Sequence, residues 1–195
     1  MKKNTGIILK QYHPQNRKIC VLDKQLGKIT CIPNKKRVAT GALISYFITR
    51  NKAPFFIDSI EILAIPFDTA INDILFLHHI LELCDYFIPL QSPSKEVFIL
   101  INYLYFFPNK IKSILEKKFF LFKLFIFLGV YPAGTEFQNP YFHSLASQSI
   151  DTIISNNLHS EIEKGLDRWL HACIDIHPDI NKLKTVSFLC KSRLL

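Results

Sequence analysis

Glycine and tryptophan are scarce in this chain, with six Gly and one Trp among 195 residues. So few glycines weigh against an enzyme built on a phosphate-cradling loop. No Gly-rich phosphate loop, GxSxG elbow, HExxH or paired-acid constellation occurs, so nothing nominates a catalytic residue. A non-enzymatic protein without a cofactor is expected. The five cysteines, Cys20, Cys31, Cys84, Cys173 and Cys190, contain no CxxC pair and fit neither a zinc cluster nor a disulfide framework. Buried thiols explain them most simply, and a reducing cytosol follows as the expected compartment. The N-terminus lacks the n-region, h-region and cleavage site of a secretory signal. Long apolar runs are missing too. The most hydrophobic stretch, Phe119 to Val130, is interrupted by Lys123 and falls short of the roughly 20 apolar residues a spanning helix needs. It reads as a buried core helix.

The most informative scarcity is acid at the front. Residues Met1 to Ala53 carry twelve Lys and Arg against a single carboxylate, Asp23, for a local charge of +11. The rest of the chain carries twelve bases and fifteen acids, for −3, within a total of +8. An ordinary solvated surface intersperses both signs, so a one-sided block points to a polyanionic partner. Nucleic acid is the first candidate and an anionic membrane surface the second. Hydrophobic residues make up 49% of the chain, 17 of them Phe, which permits a sizeable core and argues against disorder.

The basic front reads as strands. Thr5 to Lys10 is a short β run, and His13-Pro-Gln-Asn16 supplies a turn. Lys18 to Leu22 and Lys28 to Ile32 flank Asp23 to Gly27 as a hairpin. Two further β-rich runs, Leu43 to Thr49 and Phe55 to Leu63, follow the basic loop Asn34-Lys-Lys-Arg37. Five short strands in about sixty residues predict a small closed barrel of the OB type.

The period changes near Pro66. From Asp68 apolar residues recur at helical spacing (Ile71, Ile74, Leu75, Leu77, Ile80, Leu81, Cys84, Phe87, Ile88), and Pro89 ends that helix. Ser92 and Pro93 read as the N-cap and first residue of a second helix to about Phe107. Asn109 reads as the cap of a third through Leu128, stopped by Gly129. Residues 131–143 read as an irregular linker. Ser160 and Glu163 form a capping box for a helix to about Ile176, and a last helix covers 181–193. The fold class expected is therefore α+β, a five-stranded OB barrel over residues 1–66 followed by an all-helical domain over 67–195.

Two constellations stand out. Lys10, Arg17, Lys18, Lys24, Lys28, Lys35, Lys36, Arg37, Arg50 and Lys52 fall on barrel strands and loops. There they could neutralise phosphates while Tyr12 and Tyr46 offer faces for base stacking. The plain alternative is that the charges solubilise the barrel and the tyrosines are packed. On the third helix Lys112, Glu116, Phe119, Phe120, Lys123 and Phe127 share about a third of the circumference. That stripe could grip an acidic, apolar-ended peptide, or be core Phe with snorkelling Lys stems. His78, His79 and Glu82 lie near one another on the first helix, but no further ligand is identifiable and no metal site is expected.

These residues also carry a resemblance. Thr5-Gly-Ile-Ile-Leu-Lys10 followed by Gln25-Leu-Gly-Lys-Ile29 resembles the opening of the bacterial recombination and repair mediator family RecO. Gly41 to Phe47 is similar to that family's fourth-strand segment, and Ile80 to Asp85 with Pro89 to its first helix after the barrel. Phe122 to Gly129 with Pro132 resembles its helix ending in a Gly-Tyr-x-Pro-like turn, and Leu183 to Leu189 its terminal helix. The resemblance implies an OB-fold and a helical domain that bind single- and double-stranded DNA and anneal complementary strands. It implies work with a RecR-like protein and, in many members, binding of the acidic C-terminal tail of single-stranded-DNA-binding protein to help load recombinase. Many relatives carry a four-cysteine zinc motif after the turn. This chain has no Cys between Cys84 and Cys173, so zinc is expected to be absent. Competing readings are an OB-like adaptor with protein contacts alone, and a protein using its basic charge on anionic lipid.

Overall fold

Ile8, Ile19, Val21, Ile29, Ile44 and Ile57 alternate along their strands with residues facing the other way, and together they fill the inside of a barrel. The computed structural model describes residues 2–12, 17–34, 38–50, 52–107, 110–132, 140–148, 160–175 and 183. Five strands form the barrel: β1 (Lys3–Gln11), β2 (Ile19–Asp23), β3 (Gly27–Pro33), β4 (Leu43–Arg50) and β5 (Phe55–Ala64). Their order around the closed sheet is β1-β2-β3-β5-β4. All neighbours are antiparallel except β3 and β5, which run parallel over the short register Cys31 to Pro33 against Phe55 to Ile57. At Gly6 the strands crowd: a Cβ there would stand 2.5 Å from Val21 Cγ1.

Alternate residues of β1 and β2 are buried as well. Ile7, Leu9, Cys20 and Leu22 all have low exposure although they lie outside the barrel's interior cluster. The first helix, α1 (Phe67–Phe87), packs on β1. A strand covered on both faces needs apolar residues on both.

Within α1 Asp73 is non-helical (φ −160°, ψ 88°), and its carboxylate accepts from the Phe76 amide at 3.0 Å. Asp73 thereby caps a second helical segment inside the first. The break explains why the period misleads here. Ile71, Ile74 and Leu75, expected on the core face, are exposed, Ile71 by 68%. From Phe76 onward the helical period holds and Leu77, Ile80, Leu81 and Cys84 are buried.

Helix α2 (Lys95–Phe106) begins after Ser94, two residues later than the Ser92–Pro93 reading. The chain divides into two compact units, 1–108 and 109–195, so α1 and α2 group with the barrel. Strands do give way to helix beside Pro66, and the first unit extends past that change of period.

In the second unit α3 (Ile114–Phe127) opens with a reciprocal capping box between Ser113 and Glu116. Asn109, the expected cap, lies outside the described residues. Gly129, at φ +73°, ends the helix as its position suggested. Lys118 through Phe125 are all buried, so α3 is covered on every side. A short helix, α4 (Pro140–Ser147), occupies part of the expected linker, because Pro is well tolerated in a first helical turn. Helix α5 (Ser160–Asp175) matches its expected span and places Trp169 edge-on to Phe122 at 4.6 Å. The capping-box side chains at Ser160 and Glu163 and the expected helix 181–193 fall outside what is described, apart from a buried Leu183. No helix among the described residues is long and apolar enough to cross a membrane.

Candidate nucleic-acid interface

Asp23, the lone acid of the basic front, is buried. One carboxylate oxygen accepts the Gln25 and Leu26 amides at 2.7 and 2.8 Å, which folds the β2–β3 turn. The other accepts the Tyr46 hydroxyl at 2.5 Å and the Asn4 amide at 3.3 Å. This arrangement has an electrostatic consequence. The one negative charge of residues 1–53 is enclosed, and of the exposed cations of that segment Lys3 and Lys10 pair instead with Glu61 and Asp85, at 2.7 and 3.0 Å.

The expected DNA-contacting cations separate into two groups. Lys10 and Lys28 converge on Asp85 of α1. Lys10 Nζ meets the carboxylate at 3.0 Å, and the buried Lys28 donates to the Asp85 backbone carbonyl. Burial alone would lower the Lys10 pKa, but the hydrogen bond and charge of Asp85 outweigh it and hold the ammonium above its ordinary value. Lys28 is thus a tie between barrel and helix and not an exposed phosphate contact. Lys10 is partly committed to the same role.

Arg17, Lys18, Lys24, Arg50 and Lys52 form the second group. All are exposed, and among the described residues none has an ion-pair partner. Arg17 and Lys18 close the β1–β2 loop, Lys24 sits in the β2–β3 turn, and Arg50 and Lys52 flank the start of the β4–β5 loop. Lys35, Lys36 and Arg37 lie outside the described residues.

Aromatic rings lie beside barrel cations of both groups. Tyr12 is 39% exposed, its backbone amide donates to the Lys18 carbonyl at 3.0 Å, and its ring lies under the Lys10 ammonium at 5.5 Å. The Arg50 guanidinium lies over the half-buried Phe56 ring at 5.4 Å. Tyr46, by contrast, is fully buried in the barrel, where burial and then the Asp23 charge hold its phenol protonated. It is a core residue and offers no stacking face.

The stripe expected on α3 is not a surface. Phe119, Phe120 and Lys123 are buried, and Lys123 Nζ donates to the Ala146 carbonyl. Lys112 precedes the helix, exposed, with its amide bonded to the Glu116 carboxylate at 2.6 Å. Phe127 alone of the stripe's rings reaches solvent. The pattern arises because α3 is enclosed all round, so shared angular position does not imply a shared exposed face.

Cys20, Cys31, Cys84 and Cys173 are free and buried. Burial, followed by the Asp85 charge, pushes the Cys20 thiol up to about 12. His79 is buried and held neutral, its pKa lowered to about 4 by desolvation against a smaller opposing effect of Glu82. Among the described residues no group of three or more ligating side chains could hold a metal ion.

Sequence reasoning missed one feature. A groove of about 400 Å³ opens between the β2–β3 turn, the β4–β5 loop and the α1–α2 connection, lined in part by Gln25, Lys52 and Gln91. Only the basic residue among these carried a signal in the sequence. The geometry defines a closed five-stranded barrel with unpaired cations on its loops, followed by helices. No protein-family model matches this sequence, and no curated protein matches it.

Proposed function

We propose that this chain is a RecO-like, non-enzymatic DNA-binding protein whose barrel is an OB-fold. Strand order β1-β2-β3-β5-β4 with a parallel β3–β5 pair supports the OB reading. OB-folds engage oligonucleotides through the β2–β3 face and the β1–β2 and β4–β5 loops, which carry Arg17, Lys18, Lys24, Arg50 and Lys52 here. The observation that carries the proposal is the burial of Asp23, the one acid of residues 1–53, together with five exposed cations of that segment that have no ion-pair partner among the described residues. In this reading the loops bind the phosphates of single- and double-stranded DNA, Tyr12 and Phe56 stack bases, and strand annealing follows from holding two strands on one basic surface. Cooperation with a RecR-like protein and with the acidic tail of single-stranded-DNA-binding protein in the cytosol rests on the sequence resemblance. The buried α3 stripe gives the tail no groove at Phe119, Phe120 and Lys123.

The test is a polarisation titration with single-stranded and duplex oligonucleotides at two salt concentrations. Six or so phosphate contacts to duplex should give roughly a thousandfold loss of affinity between about 50 and 200 mM salt. Absence of DNA binding at low salt would overturn the proposal.

One observation favours a second reading, an adaptor that binds protein alone. Ile62, Leu63, Ile65, Phe67, Ile71, Ile74 and Leu75 are all exposed, which is unusual for fourteen consecutive positions of a folded chain. DNA-independent capture of a protein through this segment, with no DNA binding, would establish it.

A further inference from the structure

The groove between the β2–β3 turn and the β4–β5 loop has one wall, formed by that turn and the α1–α2 connection, that is held by close packing and hydrogen bonds. Gly27 adopts φ +75°, and a Cβ there would stand 1.9 Å from the Ser92 carbonyl oxygen, so the turn is pressed against the α1–α2 connection. Gln91 N donates to the Lys28 carbonyl at 2.7 Å, and Leu90 bridges Lys28 in parallel, so this connection extends the edge of β3. The Asp23 carboxylate fixes the Gln25 and Leu26 amides from below. Hydrogen bonds from their main-chain amides, to the Asp23 carboxylate and the Lys28 carbonyl, thus hold Gln25 and Gln91, whose exposed side chains line one groove.

The lining is chemically mixed. Leu26, Phe55 and Pro93 supply apolar surface, Gln25 and Gln91 supply amide donors and acceptors, and Lys52 supplies a cation. Lys24 and Arg50, both exposed, flank it in sequence on the same two loops. A volume of about 400 Å³ lies within the range of small-ligand sites. Apolar walls take the faces of a heteroaromatic ring, carboxamides match the paired donors and acceptors on base edges, and a neighbouring ammonium takes a phosphate.

We propose that this groove accepts an unstacked nucleobase of single-stranded nucleic acid, with Gln25 and Gln91 on the base edge and Lys52 on its phosphate. The inference rests on the DNA-binding reading above and deepens it. Cations on loops attract any polyanion, whereas a base seated in the groove must leave its stack and its pairing partner. The groove therefore confers preference for single strands over duplex.

The experiment uses the full chain and three probes: a short oligothymidylate, an abasic oligomer of equal length, and a duplex. Gln25→Ala and Gln91→Gly remove the amides at exposed positions, the second at a residue whose φ of +58° glycine adopts readily. Ala53→Trp fills the groove from the β4–β5 loop. The parent should bind oligothymidylate more tightly than the abasic oligomer. Each variant should lose roughly tenfold on oligothymidylate, within the range of one lost base contact, and stay within twofold of the parent on the other probes. Equal losses on all three probes, or no loss on oligothymidylate, would overturn the base-binding role while leaving a DNA-binding barrel in place. A parent protein that binds none of the probes overturns the functional reading and the groove together.

Discussion

Tyr46 on β4 donates its hydroxyl to the Asp23 carboxylate at the end of β2, 2.5 Å away, inside the barrel wall. The pair joins strands that are not neighbours in the sheet and anchors the turn that carries Lys24, Gln25 and Leu26. It makes the position of the candidate interface a property of the core.

Tyr46→Phe should therefore lower stability by about 1.5–3 kcal/mol, the usual worth of a hydrogen bond to a charged group. Asp23→Ala should cost more, because it also releases the Gln25 and Leu26 amides and leaves the Tyr46 hydroxyl without its acceptor. Urea unfolding of both variants checks the order. Equal midpoints for parent and variants would show that the pair is not part of the fold's support.

Charge removal should divide the cations as the structure does. Arg17→Ala, Lys18→Ala, Lys24→Ala and Arg50→Ala should each reduce the slope of log affinity against log salt by about 0.7 on single strands. Lys10→Ala, which breaks the Asp85 pair, should change that slope less and cost no more than about 1 kcal/mol of stability. A titration series at four or five salt concentrations separates the two behaviours.

His79 links stability to pH. Its folded pKa of about 4 lies below the ordinary histidine value of 6.5, so the unfolded chain binds the proton more readily. The stabilisation is complete above about pH 6.5 and is lost as pH falls toward 4. The loss is on the order of 3 kcal/mol across that window. Unfolding free energies at pH 7 and pH 5 should differ by about 2 kcal/mol more in the parent than in a folded His79→Gln variant. Parallel pH profiles would contradict this.

Lys123→Glu should destabilise the second unit, since a buried carboxylate would replace an ammonium that donates to the Ala146 carbonyl. The cost should be about 3 kcal/mol or more, whereas Lys123→Met should be milder because it leaves no buried charge. Trp169, the single tryptophan, lies 4.6 Å from the Phe122 ring and 6.3 Å from the Phe125 ring, so its emission reports on this region. A red-shifted spectrum in Lys123→Glu and a parent-like one in Lys123→Met is the expected pair.

Residue type and spacing by themselves determined much of this protein. Period-two runs bounded by Gly, Pro and Asp marked the five strands, and the change of period at Pro66 marked where helices begin. Local hydrogen bonding and alternation suffice for that. The uneven charge was equally plain, since it needs only counting. What the tertiary structure decided was which side chains face water. Lys28 and Lys10 look like any other front-end cation until α1 brings Asp85 against them. Tyr46 looks like a stacking ring until the barrel closes over it. Ile71 and Phe120 both fit a helical period, yet the break at Asp73 leaves one in solvent while enclosure of α3 buries the other. The groove joins residues 25, 52 and 91, brought together only when the α1–α2 connection docks on β3. Exposure is a property of the whole packed surface, set by contacts between residues far apart in the chain.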